Sequence, residues 1–239
     1  MSVSFVKIKR LRSAAIFPVL LLVLPVVIFV LASDGRLEVS KVNNLTPVLV
    51  IDAGHGGIDS GAIAADGSKE SDINLAIALK LRALAEFCGL DNVMIRQDDS
   101  TMSDTADYSE HRDLERRAEI VNNSGDCVYV SVHQNCYPTG QPSGSLVIYS
   151  DRDSSESFGK ITHSNLVTNL NPDNRRIAEP AYDKYYVLSH VDCPAILVEC
   201  GFMSNFSEME KLKSPTYQTS IATVLMGSFL QYTKSLSYI

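Results

Sequence analysis

Cysteine is scarce: the chain carries five, an odd number and too few for a disulfide scaffold. Cys127 and Cys136 bracket an apolar run, and so in effect do Cys193 and Cys200. A strand rises about 3.3 Å per residue, which puts each of these two pairs far beyond bridging reach. No Cys-x-x-Cys zinc pattern occurs, so the thiols read as small buried hydrophobes. Tryptophan is absent, and aromatics make up 8% of the chain. An excess of positive charge is missing too: 21 basic residues face 28 acidic ones, a net charge of −7. Lys7, Lys9, Arg10 and Arg12 stand together at the N-terminal end, and without them 17 basic residues face the 28 acidic ones, a balance of −11. Such a surface repels backbone phosphates, which excludes nucleic acid as a partner. A nucleotide loop is also missing. Gly54, Gly56 and Gly57 do not meet the Gly-x-Gly-x-x-Gly spacing, and no Gly-Lys-Ser/Thr follows. Neither internal repeats nor low-complexity segments occur, and 45% apolar content in 239 residues is enough for a packed core.

What is present begins with an apolar run. Every residue from 14 to 32 is apolar, close to the roughly 20 needed to cross a bilayer as a helix. The four basic residues before it keep the N-terminus in the cytoplasm and put the rest of the chain outside that membrane. Residues 1–33 therefore read as an uncleaved membrane anchor or as a secretory signal, with Val30 and Ala32 as small residues near a cleavage position. Residues 34–46 are polar and lack a period, and read as a linker. Residues 47–239 read as one catalytic domain.

Within that domain, strand-like and helix-like stretches alternate. Residues 48–53, 92–96, 127–132, 145–149 and 195–199 read as strands, and 186–189 as a further short one. Residues 70–88, 110–123, 155–170 and 216–236 read as helices. In the first of these, Ile73, Ile77 and Leu81 recur at helical spacing, and Gly89 stands where a C-terminal cap belongs. Continuous apolar strands alternating with helices imply an α/β fold: a twisted, mostly parallel sheet of about six strands flanked by helices.

In such a sheet, sites form at the carboxyl ends of strands. His55, His133 and Glu199 each sit at the carboxyl end of a predicted strand, and Glu70 opens the helix after the first one. Two His and one Glu are a known ligand set for catalytic zinc, with a fourth position open to water. The second Glu, at a strand end, is a candidate general base. A carboxylate straight after Ala195-Ile196-Leu197-Val198 is costly to bury unless paired or metal-bound. Simple alternation would turn Glu199 to solvent, whereas Gly201 and Phe202 directly after it indicate a tight turn beside a site. His111, His163 and His190 have ordinary surface or packing roles.

Several motifs together resemble one family. Asp52-Ala53-Gly54-His55-Gly56-Gly57, Asp59-Ser60-Gly61-Ala62 and Glu70-Ser71-Asp72-Ile73-Asn74-Leu75 resemble the zinc-dependent N-acetylmuramoyl-L-alanine amidases of the type called family 3. So do Arg117-Ala118-Glu119-Ile120-Val121-Asn122, Ser131-Val132-His133-Gln134-Asn135, and the stretch from Pro194 to Asn205. The resemblance covers residues 48–236. It implies Zn2+ bound by His55, Glu70 and His133, with Glu199 catalytic. The bond cut would be the amide between muramic acid and L-alanine in peptidoglycan, the implied partner. Asn135 and Arg117 are candidates for substrate binding, although Arg117 equally suits a structural ion pair. Two positions depart from the pattern: Ala53 stands where Pro is frequent, and Cys136 where a small residue is usual. A short form with an N-terminal membrane segment and no wall-binding repeats resembles the spore-cortex, germination-specific type. In a spore former this implies the space around the forespore, and a free lactyl group from which a second enzyme makes muramic lactam. A zinc peptidase acting on the stem peptide, and a non-catalytic membrane-associated binding protein, are the alternatives. An accessory protein that aids zinc binding is left open as a partner.

Overall fold

Apolar strands and amphipathic helices alternate because each must bury one face against the other. The computed structural model describes residues 46–103 and 105–236, all within one compact unit. The strands are β1 (Val48–Ala53), β2 (Asn92–Met94), β3 (Cys127–Asn135), β4 (Leu146–Tyr149), β5 (Glu179–Pro180) and β6 (Ala195–Phe202). The helices are α1 (Glu70–Phe87), α2 (Glu110–Asn122), α3 (Ser155–Leu170), α4 (Tyr186–His190), α5 (Phe206–Leu212) and α6 (Pro215–Leu236), with a 3-10 turn at Thr105–Asp107.

The six strands form one sheet in the order β2-β1-β3-β6-β4-β5. All neighbours run parallel except β4 and β6, so the sheet is mixed. Alternation along the strands sorts the core into two layers. Leu49, Ile51, Val130, Val132, Ile196 and Val198 pack on one face under α1, α3 and α6. Val50, Tyr129, Ala195 and Leu197 pack on the other with α2 and α4. The first face is the better covered: α6 buries Ile221, Leu225, Phe229 and Tyr232 along its length. Among the described residues, the helices above the second face are α2 and a five-residue one, and that thin cover leaves a cavity described below.

The expected six-stranded α/β architecture is present, with corrections in detail. Residues 186–189 form a helix, not a strand. The sixth strand is instead β5, two residues long and without an apolar pattern. No turn interrupts Gly201-Phe202, because β6 runs through both and the turn follows at Met203 and Ser204. Of the five cysteines expected to be buried, Cys136 is exposed and Cys88 is half-buried. The apolar run 14–32 and nearly all of the expected linker lie outside the described residues. Among the described residues, no helix is long and apolar enough to cross a membrane.

Candidate active site

Parallel strands β1 and β3 end side by side, and the chain leaving β1 turns at once through His55, which takes a left-handed φ of 62°. That turn is built by its own side chains. Asp59 Oδ2 meets His55 Nδ1 at 2.8 Å, and Asp59 Oδ1 accepts from Gly61 N at 3.0 Å. The loop then caps α1. Glu70 N donates to Ala62 O at 2.8 Å and Ser71 N to Ser60 O at 3.1 Å, which satisfies two of the backbone donors a helix start leaves open. Loop and helix are thereby locked together, and Glu70 is aimed at His55.

The three expected ligands converge. One donor atom each from His55, Glu70 and His133 lies within 4.8 Å of the other two. Glu70 Oε1 stands 3.3 Å from His55 Nε2 and 3.1 Å from His133 Nδ1, and the two imidazoles meet edge to face at 4.9 Å. Glu70 is held from behind by Ala62 N, by Gln134 N at 3.0 Å and by Asn74 Nδ2 at 3.3 Å. Burial alone would raise its carboxyl, but the two histidines outweigh it and hold it far below the usual carboxylate range. Burial would likewise lower His55, yet Asp59 and Glu70 push it up to about 10.

Two glycines make room for this cluster. A Cβ on Gly54 would sit 2.2 Å from the His133 ring. One on Gly61 would meet His55 at 2.6 Å and Glu70 at 2.7 Å, and the φ there is +63°. The donor set suits zinc chemically: two imidazole nitrogens and one carboxylate, with His55 oriented by a carboxylate on its other nitrogen.

Glu199 lies beside His133 in the register of β3 and β6, so both side chains leave the same face. Its Oε2 is buried and has no hydrogen-bond partner. Burial pushes its carboxyl up to about 7, with His133 pulling the other way. An orphaned buried carboxylate oxygen next to the ligand cluster fits a group that takes up a proton.

Beneath the loop lies a second set of residues. Arg117 donates to Asp113 at 2.6 Å, to Asp52 at 2.5 Å, and to the carbonyls of Ala53 and His55 at 3.1 and 2.7 Å. Arg96 donates to the carbonyls of Ala53, Gly54 and Ser71 at 2.7, 3.0 and 2.8 Å. Both guanidiniums are buried, so the backbone from Ala53 to His55 is clamped by two fixed cations. For Arg117, these contacts describe the ion-pair alternative. Asn135 closes β3 two residues past His133, half-buried, and its carbonyl accepts from Met203 N at 2.8 Å.

Sequence reading assigned no role to Arg96, Asp52, Asp59, Asn74 or Gln134. Asp59 and Asn74 each stand four residues from a ligand, and that spacing was a usable signal. Arg96 gave none, since its targets are backbone carbonyls. Beside the His/Glu/His cluster, the second face opens into a cavity of about 210 Å³, lined by His55, His133, Tyr108, Lys184, Tyr185 and Leu188 among others.

The chain is similar to known amidases in sequence and in fold. The family profile described as N-acetylmuramoyl-L-alanine amidase matches residues 49–228. The germination-specific N-acetylmuramoyl-L-alanine amidase of Bacillus subtilis is 31% identical over 192 residues, which cover 77% of this chain and 79% of the relative. The CwlD amidase of Clostridioides difficile, solved in complex with the GerS lipoprotein, superposes with a TM-score of 0.75 at 34% identity, over 79% of this chain and 99% of that one. The amidase AmiC2 of Nostoc punctiforme gives 0.69 at 29% identity, over 79% and 98%.

Proposed function

The chain belongs to the N-acetylmuramoyl-L-alanine amidase family and is a peptidoglycan amidase, and we propose that it works as a zinc enzyme with His55, Glu70 and His133 as ligands and Glu199 as general base. The observation that carries this reading is the pairing of a converged His/Glu/His cluster with a buried, partnerless Glu199 oxygen one strand away. Zinc held there would supply polarisation of the substrate carbonyl and acidification of a water molecule. Glu199 takes the proton from the attacking water at Oε2 and returns it to the leaving nitrogen of L-alanine as the lactyl C–N bond breaks. Asp59 fixes the His55 ring so that Nε2 faces the cluster, and Arg96 and Arg117 hold the loop that carries it. Asn135, at the end of β3, stays the candidate for substrate contact, and Arg117 would act through the loop it holds.

We place the protein outside the cytoplasmic membrane, anchored or released through its N-terminal apolar run, and in a spore former around the forespore. The germination-specific relative supports a role in the spore cortex, where stem-peptide removal leaves a free lactyl group for muramic lactam formation by a second enzyme. The CwlD–GerS complex supports a lipoprotein as the accessory partner.

Incubation with peptidoglycan, followed by mass spectrometry of the soluble and glycan fractions, tests the reading. Peptides beginning with L-alanine and glycan strands bearing bare muramic acid are expected. Shortened stem peptides with intact lactyl–alanine bonds would instead establish the peptidase alternative. Elemental analysis of protein purified without chelator should find close to one zinc per chain, and equal occupancy in His55→Ala and His133→Ala would overturn the ligand assignment.

A further inference from the structure

The strand pairing that brings His133 beside Glu199 has a counterpart at the opposite end of the same two strands. In the register of β3 and β6, Tyr129 stands opposite Ala195, and Tyr129 N donates to Pro194 O at 2.9 Å. Two residues back along both segments lie Cys127, the first residue of β3, and Cys193, in the bend that leads into β6. Both thiols pack in one buried cluster with Tyr129 and Ala195, on the second face of the sheet. They are 2% and 8% exposed, Cys127 Sγ donates to Val121 O at 3.6 Å, and each thiol lies close enough to shift the other, Cys127 down and Cys193 up. Neighbouring strands lie about 4.8 Å apart, inside the Cα separations of roughly 4.4–6.8 Å that a disulfide spans.

No other cysteine competes for either thiol. Cys136 is exposed past the far end of β3, about 30 Å along an extended strand from Cys127. Cys200 packs in the core of the opposite face, and Cys88 caps α1 on that side.

We propose that Cys127 and Cys193 are a redox pair that forms a disulfide across the base of β3 and β6 when a low-molecular-weight or protein disulfide serves as oxidant. One thiolate of the pair attacks the oxidant R–S–S–R and releases RS⁻, giving a mixed disulfide. The second thiolate attacks that protein sulfur, releases the other RS⁻ and closes the Cys127–Cys193 bond. The two thiol protons pass to the two RS⁻ groups, and the oxidant takes up two electrons. The bond joins the two strands whose other ends carry His133 and Glu199, and it closes a long loop, the case in which a cross-link constrains the unfolded chain most. An oxidising compartment outside the membrane is where such a bond forms and persists.

The test refolds the reduced full chain in a glutathione redox buffer and in excess reductant. Refolding gives both thiols access to the oxidant before burial. Remaining thiols are then alkylated under denaturing conditions, and peptides are mapped without reduction. The expected product is a Cys127–Cys193 cross-linked peptide, an intact mass lower by two hydrogens before alkylation, three alkylated cysteines, and a denaturation midpoint above that of the reduced form. Cys127→Ala should remove the cross-link and the midpoint difference, and a variant with Cys88, Cys136 and Cys200 changed to Ser should keep both. Five alkylated thiols after oxidative refolding, or a dominant bond to any other cysteine, would overturn the proposal.

Discussion

Gly54→Ala is the sharpest single perturbation, because it adds one methyl group and the structure says where it lands. The new Cβ would sit 2.2 Å from both Cε1 and Nε2 of His133, whereas ordinary contact begins at 3.4 Å. Relief therefore requires a displacement on the order of 1 Å by the ring or the backbone, and neither is loose. Gly54 donates to Val132 O at 3.0 Å, and its carbonyl accepts from Arg96 at 3.0 Å and Asn74 at 3.2 Å. His133 Nδ1 is held at 3.1 Å from Glu70, and its ring meets His55 edge-on. Ligand distances tolerate only about ±0.2 Å, so with His133 as the proposed zinc ligand the ring could not yield without weakening that bond. Disturbing a ligand's support weakens metal affinity by roughly 10–100-fold, and a misplacement of about 1 Å costs rate by a factor on the order of 100. Overpacking should also cost about 1–3 kcal/mol of stability. Calorimetric zinc titration, muropeptide release and thermal unfolding measure the three effects. Gly227→Ala is the control: that glycine lies exposed inside α6 with nothing within 4 Å, so alanine should stabilise by about 0.5–1 kcal/mol and leave zinc untouched. If Gly54→Ala bound zinc and released peptides like the wild type, the steric argument and the placement of His133 would both be wrong.

Glu199→Gln should keep fold and zinc yet lose hydrolysis by several orders of magnitude, measured as released L-alanine peptides, because the amide cannot accept the water proton. In metal-free protein, a carboxyl titrating near 7 by infrared or NMR spectroscopy should be present in the wild type and missing in this variant. Burial raises the Asp52 carboxyl, but the Arg117 guanidinium and the Tyr129 hydroxyl outweigh it and hold it below the usual range. Its stabilising share is therefore fully present above its unfolded value of about 3.9 and is lost as pH falls through the lower folded value. Asp52→Asn should cost about 3–5 kcal/mol at neutral pH by leaving Arg117 short of its buried partner, and should flatten the acid limb of denaturant stability measured from pH 5 downward. An unchanged acid limb would remove Asp52 from that role. Glu208 accepts from Gly144 N and Phe202 N, each at 2.9 Å, so Glu208→Ala should orphan two buried donors at about 1–3 kcal/mol each, read as a lower denaturation midpoint.

Parts of this molecule were legible in the sequence where a single physical pattern dominated. β1, β3 and β6 are central and buried on both faces, so they read as unbroken apolar runs, and α1 shows Ile73, Ile77 and Leu81 on one stripe, all buried. The convergence of His55, Glu70 and His133 was legible for a related reason: parallel strands bring residues at and just past their carboxyl ends to one edge. What failed had no such pattern. Val187 and Leu188 in α4 bury two adjacent apolar residues, and a five-residue stretch does not separate a helix from a strand by period. β5 is two residues held to β4 by backbone pairing alone, and α5 was missed although Asn205 caps it by accepting from Ser207 N and Glu208 N. The reversed direction of β4 is a property of pairing, which apolar content does not encode. Burial of individual cysteines followed their place in the fold, so Cys136, beyond the end of β3, stayed at the surface.

Two carboxylates on the same face of the sheet show how position becomes role. Asp52 stands at the end of β1 and Glu199 near the end of β6, with β3 between them. Asp52 is buried and Glu199 half-buried with its Oε2 out of water, and desolvation alone would push both upward. Asp52 meets Arg117, the Tyr129 hydroxyl at 2.6 Å and the Ser131 hydroxyl at 3.2 Å, so its charge is matched and its carboxyl drops. Glu199 finds no donor for Oε2, and its carboxyl rises to about 7. A buried polar oxygen left without a partner costs about 1–3 kcal/mol, a cost that Asp52 shows this same sheet is able to avoid. Environments that drive two carboxyls apart divide their work. Asp52, permanently ionised, anchors Arg117 and through it the carbonyls of the His55 loop. Glu199, raised to about 7 by burial beside His133, fits the proton-carrying role proposed for it.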